Sequence, residues 1–133
     1  MNRHYPLIAK RAGHRCEYCR APEVVFNFPF EVEHVVPTAR GGSDAPDNLA
    51  LACRACNSRK GDGTTARNIT SGEDVPFFNP RTDRWAEHFW FESETGELVG
   101  LSTRGHATSA GLDMNHTLQQ TARVFWVQLR LYP

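Results

Sequence analysis

The stretch that decides the fold is Phe30–Gly42, FEVEHVVPTARGG. Its apolar members, Phe30, Val32, Val35 and Val36, are what a buried strand requires. Glu31, Glu33 and His34 crowd into the same few positions. Half-burying two carboxylates beside an imidazole is costly unless something binds them. The strand therefore reads as the carrier of a site.

On either side of it stand Cys16-Glu-Tyr-Cys19 and Cys53-Arg-Ala-Cys56, which use all four cysteines of the chain. The two-residue gap lets both thiolates of one pair turn toward a single ion, and two such pairs make a tetrahedral structural zinc site from Cys16, Cys19, Cys53 and Cys56. Disulfides are the competing reading. The N-terminal MNRHYPLIAK has no apolar core of a secretion signal, and disulfides are rare in the cytosol. A redox CxxC, the other alternative, usually occurs singly.

Working outward, YPLIAKRAG (5–13) reads as a short helix with Pro6 in its first turn and Gly13 as its stop. Residues 24–36 read as strand or hairpin, TARGGSDAPDN as a loop, and NLALAC as a short apolar run into the second cysteine pair. RACNSRKGD reads as a helix ending at Gly61. The centre is thus hairpin, loop and helix, pinned at both ends by cysteines. Past residue 62, ITSGEDVPFFNPRTDRW reads as turn-rich surface chain, and HFWFES and ELVGLS as a hairpin about Glu94-Thr95-Gly96. RGHATSAGLDM suggests a short helix. A last helix is expected with Asn115 as its cap and Leu118, Ala122, Phe125 and Leu129 at helical spacing. The division expected is a core over 1–67 and an extension over 68–133 packed on it.

Composition bounds the class. The chain has 133 residues, 40% hydrophobic and 23% charged, which is globular rather than disordered. No apolar run approaches a membrane span, and a soluble, cytoplasmic protein is expected. Lys plus Arg and Asp plus Glu number 15 each, so net charge is zero. The halves differ: residues 1–67 hold 10 basic and 7 acidic side chains, net +3, and the remainder is net −3. Basic residues gather near Arg15 and again at Arg54, Arg59 and Lys60.

The segments CEYC, EVEHVVPTARGG, DNLALACRACN and SRKGD, over about residues 16–62, resemble the HNH endonucleases, and residues 76–133 look like the tail of small stand-alone bacterial members. The resemblance implies an α+β, ββα-metal fold and a metal-dependent endonuclease that hydrolyses phosphodiester bonds of DNA. It makes His34 the general base, Glu33 and Asn57 the ligands of one divalent cation, and Asn48 the residue that fixes the loop and the histidine. The family's final histidine is Asn57 here, an H-N-N version. Glu and Asn offer hard oxygen ligands, which suit Mg²⁺ or Mn²⁺ better than Zn²⁺. Zinc would remain in the four-cysteine frame as a strut. The phosphate contacts expected are Arg54, Arg59, Lys60 and Arg15.

Taken singly, each residue has a plainer reading: His34 structural, Glu33 paired with Arg40, Asn48 in a turn, Asn57 a helix cap. Glu31 has no assigned role beyond positioning Glu33 or a backbone amide, or facing solvent. Trp85, Phe89 and Trp90 read as packing of the extension rather than as base-stacking platforms. His4, His14, His88, His106 and His116 match no motif position. The rival functions are a non-catalytic zinc module that binds nucleic acid and an interaction domain whose knuckles only present a surface.

Overall fold

The structure is a computed structural model and describes residues 1–133. Helix α1 (Tyr5–Arg11) starts where Pro6 is tolerated and stops before Gly13, whose positive φ of 63° ends it. It buries Ile8 and Ala9 against the two central strands. The first cysteine pair follows. The chain reverses there through Arg20 at a φ of 64°, with the Arg20 amide donating to Cys16 O at 2.8 Å.

Only Glu31–His34 of the expected 24–36 strand forms β1. Residues Glu23–Val25 make a single 3-10 turn instead. The reason is Glu23, whose carboxylate accepts from Tyr5 Oη at 2.8 and 2.9 Å and from the Phe30 amide at 2.6 Å, and pairs with His14 Nδ1 at 2.7 Å. Those bonds hold the segment in a compact loop where a ladder would have to break them. β1 pairs antiparallel with β2 (Leu49–Ala52), His34 opposite Leu49 and Glu31 opposite Ala52. β2 is buried along its whole length. Helix α2 (Arg54–Lys60) follows at once, its N-terminus capped by Cys53 Sγ, which accepts from the Cys56 amide.

The extension differs from the sequence expectation in three places. The stretch expected as surface chain instead supplies β4 (Asp74–Pro76), which pairs with β3 (Thr65–Arg67) just ahead of it, and then buries Phe77 and Phe78. The one-turn helix α3 (Trp85–His88) leads into the expected hairpin of β5 (Phe89–Glu92) and β6 (Glu97–Gly100). The short helix α4 (Thr103–Gly111) is central to this half, packing on β6 and on the β3–β4 hairpin through Ala107, Thr108 and Ser109. The last helix, α5 (Thr117–Gln128), is capped by His116 Nδ1 rather than by Asn115. Asn115 instead receives the Leu98 amide and donates to Leu98 O. Leu118, Phe125 and Leu129 of the apolar stripe are exposed, and the buried residue of α5 is Arg123, bonded to Gly96 O at 2.6 Å and to Asn115 Oδ1 at 3.1 Å.

A single cluster of 21 buried apolar residues runs from Ile8 to Met114. Polar ties cross between the halves. Trp85 Nε1 donates to Tyr18 O at 2.7 Å, Arg15 to Leu131 O at 2.8 Å, and Tyr132 Oη to Cys19 O at 2.8 Å. No helix is long and apolar enough to cross a membrane.

Candidate functional site

The four cysteines come together. All are buried, and their sulfurs lie within 4.8 Å of one another. A tetrahedron with Zn–S of about 2.3 Å has sulfur–sulfur edges of about 3.8 Å. Cys19 Sγ and Cys53 Sγ are 3.7 Å apart. Contacts with Cys16, Cys19 and Cys56 drive the Cys53 thiol far below its usual range. Hydrogen bonding to Cys16 and Cys53, with burial, pushes the Cys19 thiol well up, and Cys56 moves the same way. Four thiolates cannot share that volume unless a cation neutralises them. The cluster fits a zinc frame and joins the start of the first knuckle to the cap of α2.

In β1, alternate side chains take opposite sides. Glu31 and Glu33 turn toward α2. Glu33 meets Lys60 Nζ at 3.1 Å and Tyr18 Oη, and the two charged side chains are 4% and 1% exposed. Burial, set against Lys60 and Tyr18, holds the Glu33 carboxyl above its usual range. Lys60 Nζ also donates to His34 O at 3.0 Å. Lys60 is thereby corrected as an expected phosphate contact: its ammonium is inside the protein, spent on β1. Asn57, one turn earlier on α2, reaches Glu31 and donates to its carboxylate. The carboxylate beside Asn57 is thus Glu31, the one left without a role by the sequence, while Glu33 is engaged by Lys60. Arg40, the alternative partner for Glu33, bonds Asp62 O instead.

His34 ends β1. His34 Nε2 lies 2.7 Å from Asp44 Oδ1, and that contact holds the Asp44 carboxyl below its usual range. Asp44 sits on the loop between β1 and β2, whose shape Asn48 sets. Asn48 Oδ1 accepts from the Val36 amide at 2.9 Å, and its Nδ2 donates to Val36 O at 2.9 Å and to Ser43 O at 2.8 Å. The turn closes so tightly that a Cβ on Gly42 would lie 1.6 Å from Val36 O. Only glycine fits there. An open cleft of about 510 Å³ borders β1, lined among others by Tyr5, Phe30, Glu31, Val32 and Asn57.

Of the remaining expected phosphate contacts, Arg54 is exposed, Arg59 pairs with Asp113, and Arg15 bonds carbonyls of Arg20 and Leu131. Asp44 escaped the sequence reading because GGSDAPDN offers two aspartates with equal claim, and only the folded loop selects one. Phe89 is buried, Trp85 is covered by Arg20, and Trp90 is exposed.

This arrangement is an α+β metal-binding unit: a two-stranded hairpin and a helix clasping polar side chains, braced by a four-cysteine cluster. Residues 16–63 match the family model described as HNH endonuclease. The matched segment begins at Cys16 and includes β1, β2, α2 and all four cysteines. No curated protein and no solved structure matched the chain. The match over that segment suggests nuclease activity on nucleic acid.

Proposed function

We propose that the protein is a divalent-cation-dependent endonuclease that hydrolyses phosphodiester bonds of DNA, with His34 as general base. The observation that carries this reading is the His34–Asp44 pair, placed by the Asn48 loop at the end of the strand that also presents Glu31 to Asn57. A carboxylate on Nε2–H leaves Nδ1 with its lone pair free, and it stabilises the imidazolium that forms when water gives up its proton. Asp44 is thus a positioning residue for the base.

Asn57 and a β1 carboxylate are the residues to hold the cation. Half a turn of the Asn57 amide exchanges its nitrogen for its oxygen. Two oxygens then face each other at Glu31 and Asn57, an arrangement that calls for a cation between them. Glu33 joins this set only if Lys60 leaves it. The donor set is hard oxygen, so Mg²⁺ or Mn²⁺ fits, and such an ion supplies positive charge to the phosphate oxygens as charge builds. Structural zinc in the cysteine frame takes no part in the chemistry. Arg54 and Arg15 remain as contacts for the DNA backbone.

The test is a plasmid-nicking series with Mg²⁺, Mn²⁺ and neither, zinc content being confirmed in each protein. His34→Ala is expected to lose about 10²–10⁴-fold, the usual worth of a general base, while still binding DNA. Asn57→Ala is expected to lose activity with either ion. Glu31→Gln and Glu33→Gln identify the ligating carboxylate: the ligand's variant shifts the Mg²⁺ requirement upward, and the other loses stability without that shift. Wild-type rates in His34→Ala, or DNA binding with no cleavage under any ion, would leave the non-catalytic zinc module as the better reading.

A further inference from the structure

At the C-terminal end of α1 lies a second cleft, of about 330 Å³, lined among others by Arg11, Arg15, Arg20, Glu17, Asp83 and Trp85. Its charges do not cancel. Glu17 is taken by Arg81 and by the Leu51 amide, and Asp83 by Arg104 at 2.7 Å and the Asn79 amide at 2.8 Å. The three lining arginines meet only neutral groups. Arg11 bonds Pro46 O at 2.7 Å and Leu49 O. Arg15 bonds Arg20 O at 3.1 Å and Leu131 O at 2.8 Å. Arg20 lies over the Trp85 ring, 4.2 Å from its centroid. Carbonyls and a ring face orient a guanidinium without neutralising it.

The crowding is visible in the neighbours as well. Burial, with Arg11 alongside, pushes the Arg81 guanidinium down to about 10. Three like charges held on fixed supports around one concavity fit an anion with several oxygens, and the forked guanidinium matches phosphate best. The same helix borders both clefts. Tyr5 lines one and Arg11 the other, at the two ends of α1. Six residues of helix span about 9 Å, the axial rise of two to three base pairs. Arg11 in addition holds the carbonyls at the end of the loop that carries Asp44 and Asn48.

We propose that the Arg11–Arg15–Arg20 cleft is a second phosphate subsite, which takes a backbone phosphodiester of the nucleic acid away from the bond being cut. This rests on the nuclease reading above and adds where the substrate lies. The DNA then crosses α1, with one phosphate at the Glu31–Asn57 end and another over the first cysteine knuckle.

The experiment measures DNA affinity against salt for the full zinc-loaded chain in the His34→Ala background, so that binding is read without cleavage. Each lost phosphate contact lowers the slope of log K on log salt by about 0.9. Arg20→Gln, whose side chain is exposed and bears no backbone bond, is expected to lower it by about one, and Arg15→Gln with Arg20→Gln by about one to two. Arg130→Gln, outside the cleft, is the control and is expected to leave the slope alone. An unchanged slope in the cleft variants, or an equal fall in the control, overturns the subsite. Failure of every protein to bind DNA overturns the nuclease reading with it. Failure of His34→Ala to reduce nicking, with the slope changes intact, overturns the mechanism and leaves the subsite standing. Protection of the cleft arginines by inorganic phosphate at constant ionic strength, without any dependence of DNA binding on Arg20, would make it a free-anion site and overturn the proposal.

Discussion

Gly42→Ala tests whether the loop that holds His34 is as constrained as its geometry says. Ordinary contact for a Cβ begins near 3.4 Å, and the new atom would start 1.6 Å from Val36 O. The loop must yield by about 1.8 Å, and it is backbone that has to move. Val36 O is itself bonded to Asn48, so the shift breaks into the three Asn48 bonds to Val36 and Ser43. At about 1 kcal/mol each these amount to about 3 kcal/mol. Displacement of Asp44 with the loop misplaces the imidazole, and an error of about 1 Å at a catalytic group costs about 10²-fold. Gly41→Ala is the matched comparison. Its φ is 87° but nothing lies within 4 Å of the added atom, so only the strain of the left-handed conformation remains, about 1–2 kcal/mol. Urea unfolding of the zinc-loaded proteins and nicking rates are read together. Gly42→Ala is expected to be the less stable variant and to lose about 10²-fold in rate, with Gly41→Ala mildly destabilised and active. Equal behaviour of the two would refute the claim that the Val36–Asn48 clasp positions His34.

Asp44→Asn is expected to cut the nicking rate about 10–100-fold without moving the thermal midpoint, because the Asp44 side chain is 66% exposed and contributes little to packing; a native rate would remove Asp44 from the mechanism. Cys53→Ser, or prolonged chelation, is expected to unfold the protein by circular dichroism, since zinc in such frames is worth about 10–16 kcal/mol and a whole domain is stable by about 5–15 kcal/mol. A folded zinc-free protein would show that the frame is dispensable. Glu23 makes a pH-dependent contribution. Burial raises its carboxyl, but His14, the Phe30 amide and Tyr5 outweigh that and leave it below the usual value. A depressed carboxyl stabilises above its unfolded pKa of about 4.3, and the gain disappears as pH falls through the folded value. The stability difference between wild type and Glu23→Gln is therefore expected to be constant near neutrality and to shrink below about pH 4; a difference that grows on acidification contradicts this assignment.

The cysteine frame, the strand–loop–strand–helix order and the β5–β6 hairpin were legible because each rests on local chemistry: a two-residue ligand gap, a Gly-rich loop, a turn at Gly96. What escaped was set by distance. Nothing local tells that Lys60 turns inward to Glu33, because a lysine on a short helix reads as solvated until the strand beneath it is known to carry a carboxylate. Asn57 and Glu31 are 26 residues apart and meet only when α2 lies over β1. Asp44 and Asp47 differ in nothing but where the loop puts them. In α5 the apolar period is real, yet it points outward, because Arg123 bonds Gly96 O in the β5–β6 turn and Met114 O and Asn115 Oδ1 between α4 and α5, and thereby fixes the helix face. Hydrophobic spacing identifies a helix and not which side is covered when a polar side chain makes the stronger claim.

The tie from Tyr132 to Cys19 and that from Arg15 to Leu131 join residues 113 and 116 apart along the chain. During synthesis the first cysteine pair leaves the ribosome long before the chain that covers it. Its knuckle must wait through the emergence of β1, α2 and both later hairpins before Tyr132 arrives, and chain emerges at about 5–20 residues per second. Contacts of such separation slow folding, since loop closure precedes any gain from them. All four cysteines precede residue 57, so a metal can join them before the chain that carries Leu131 and Tyr132 has been made.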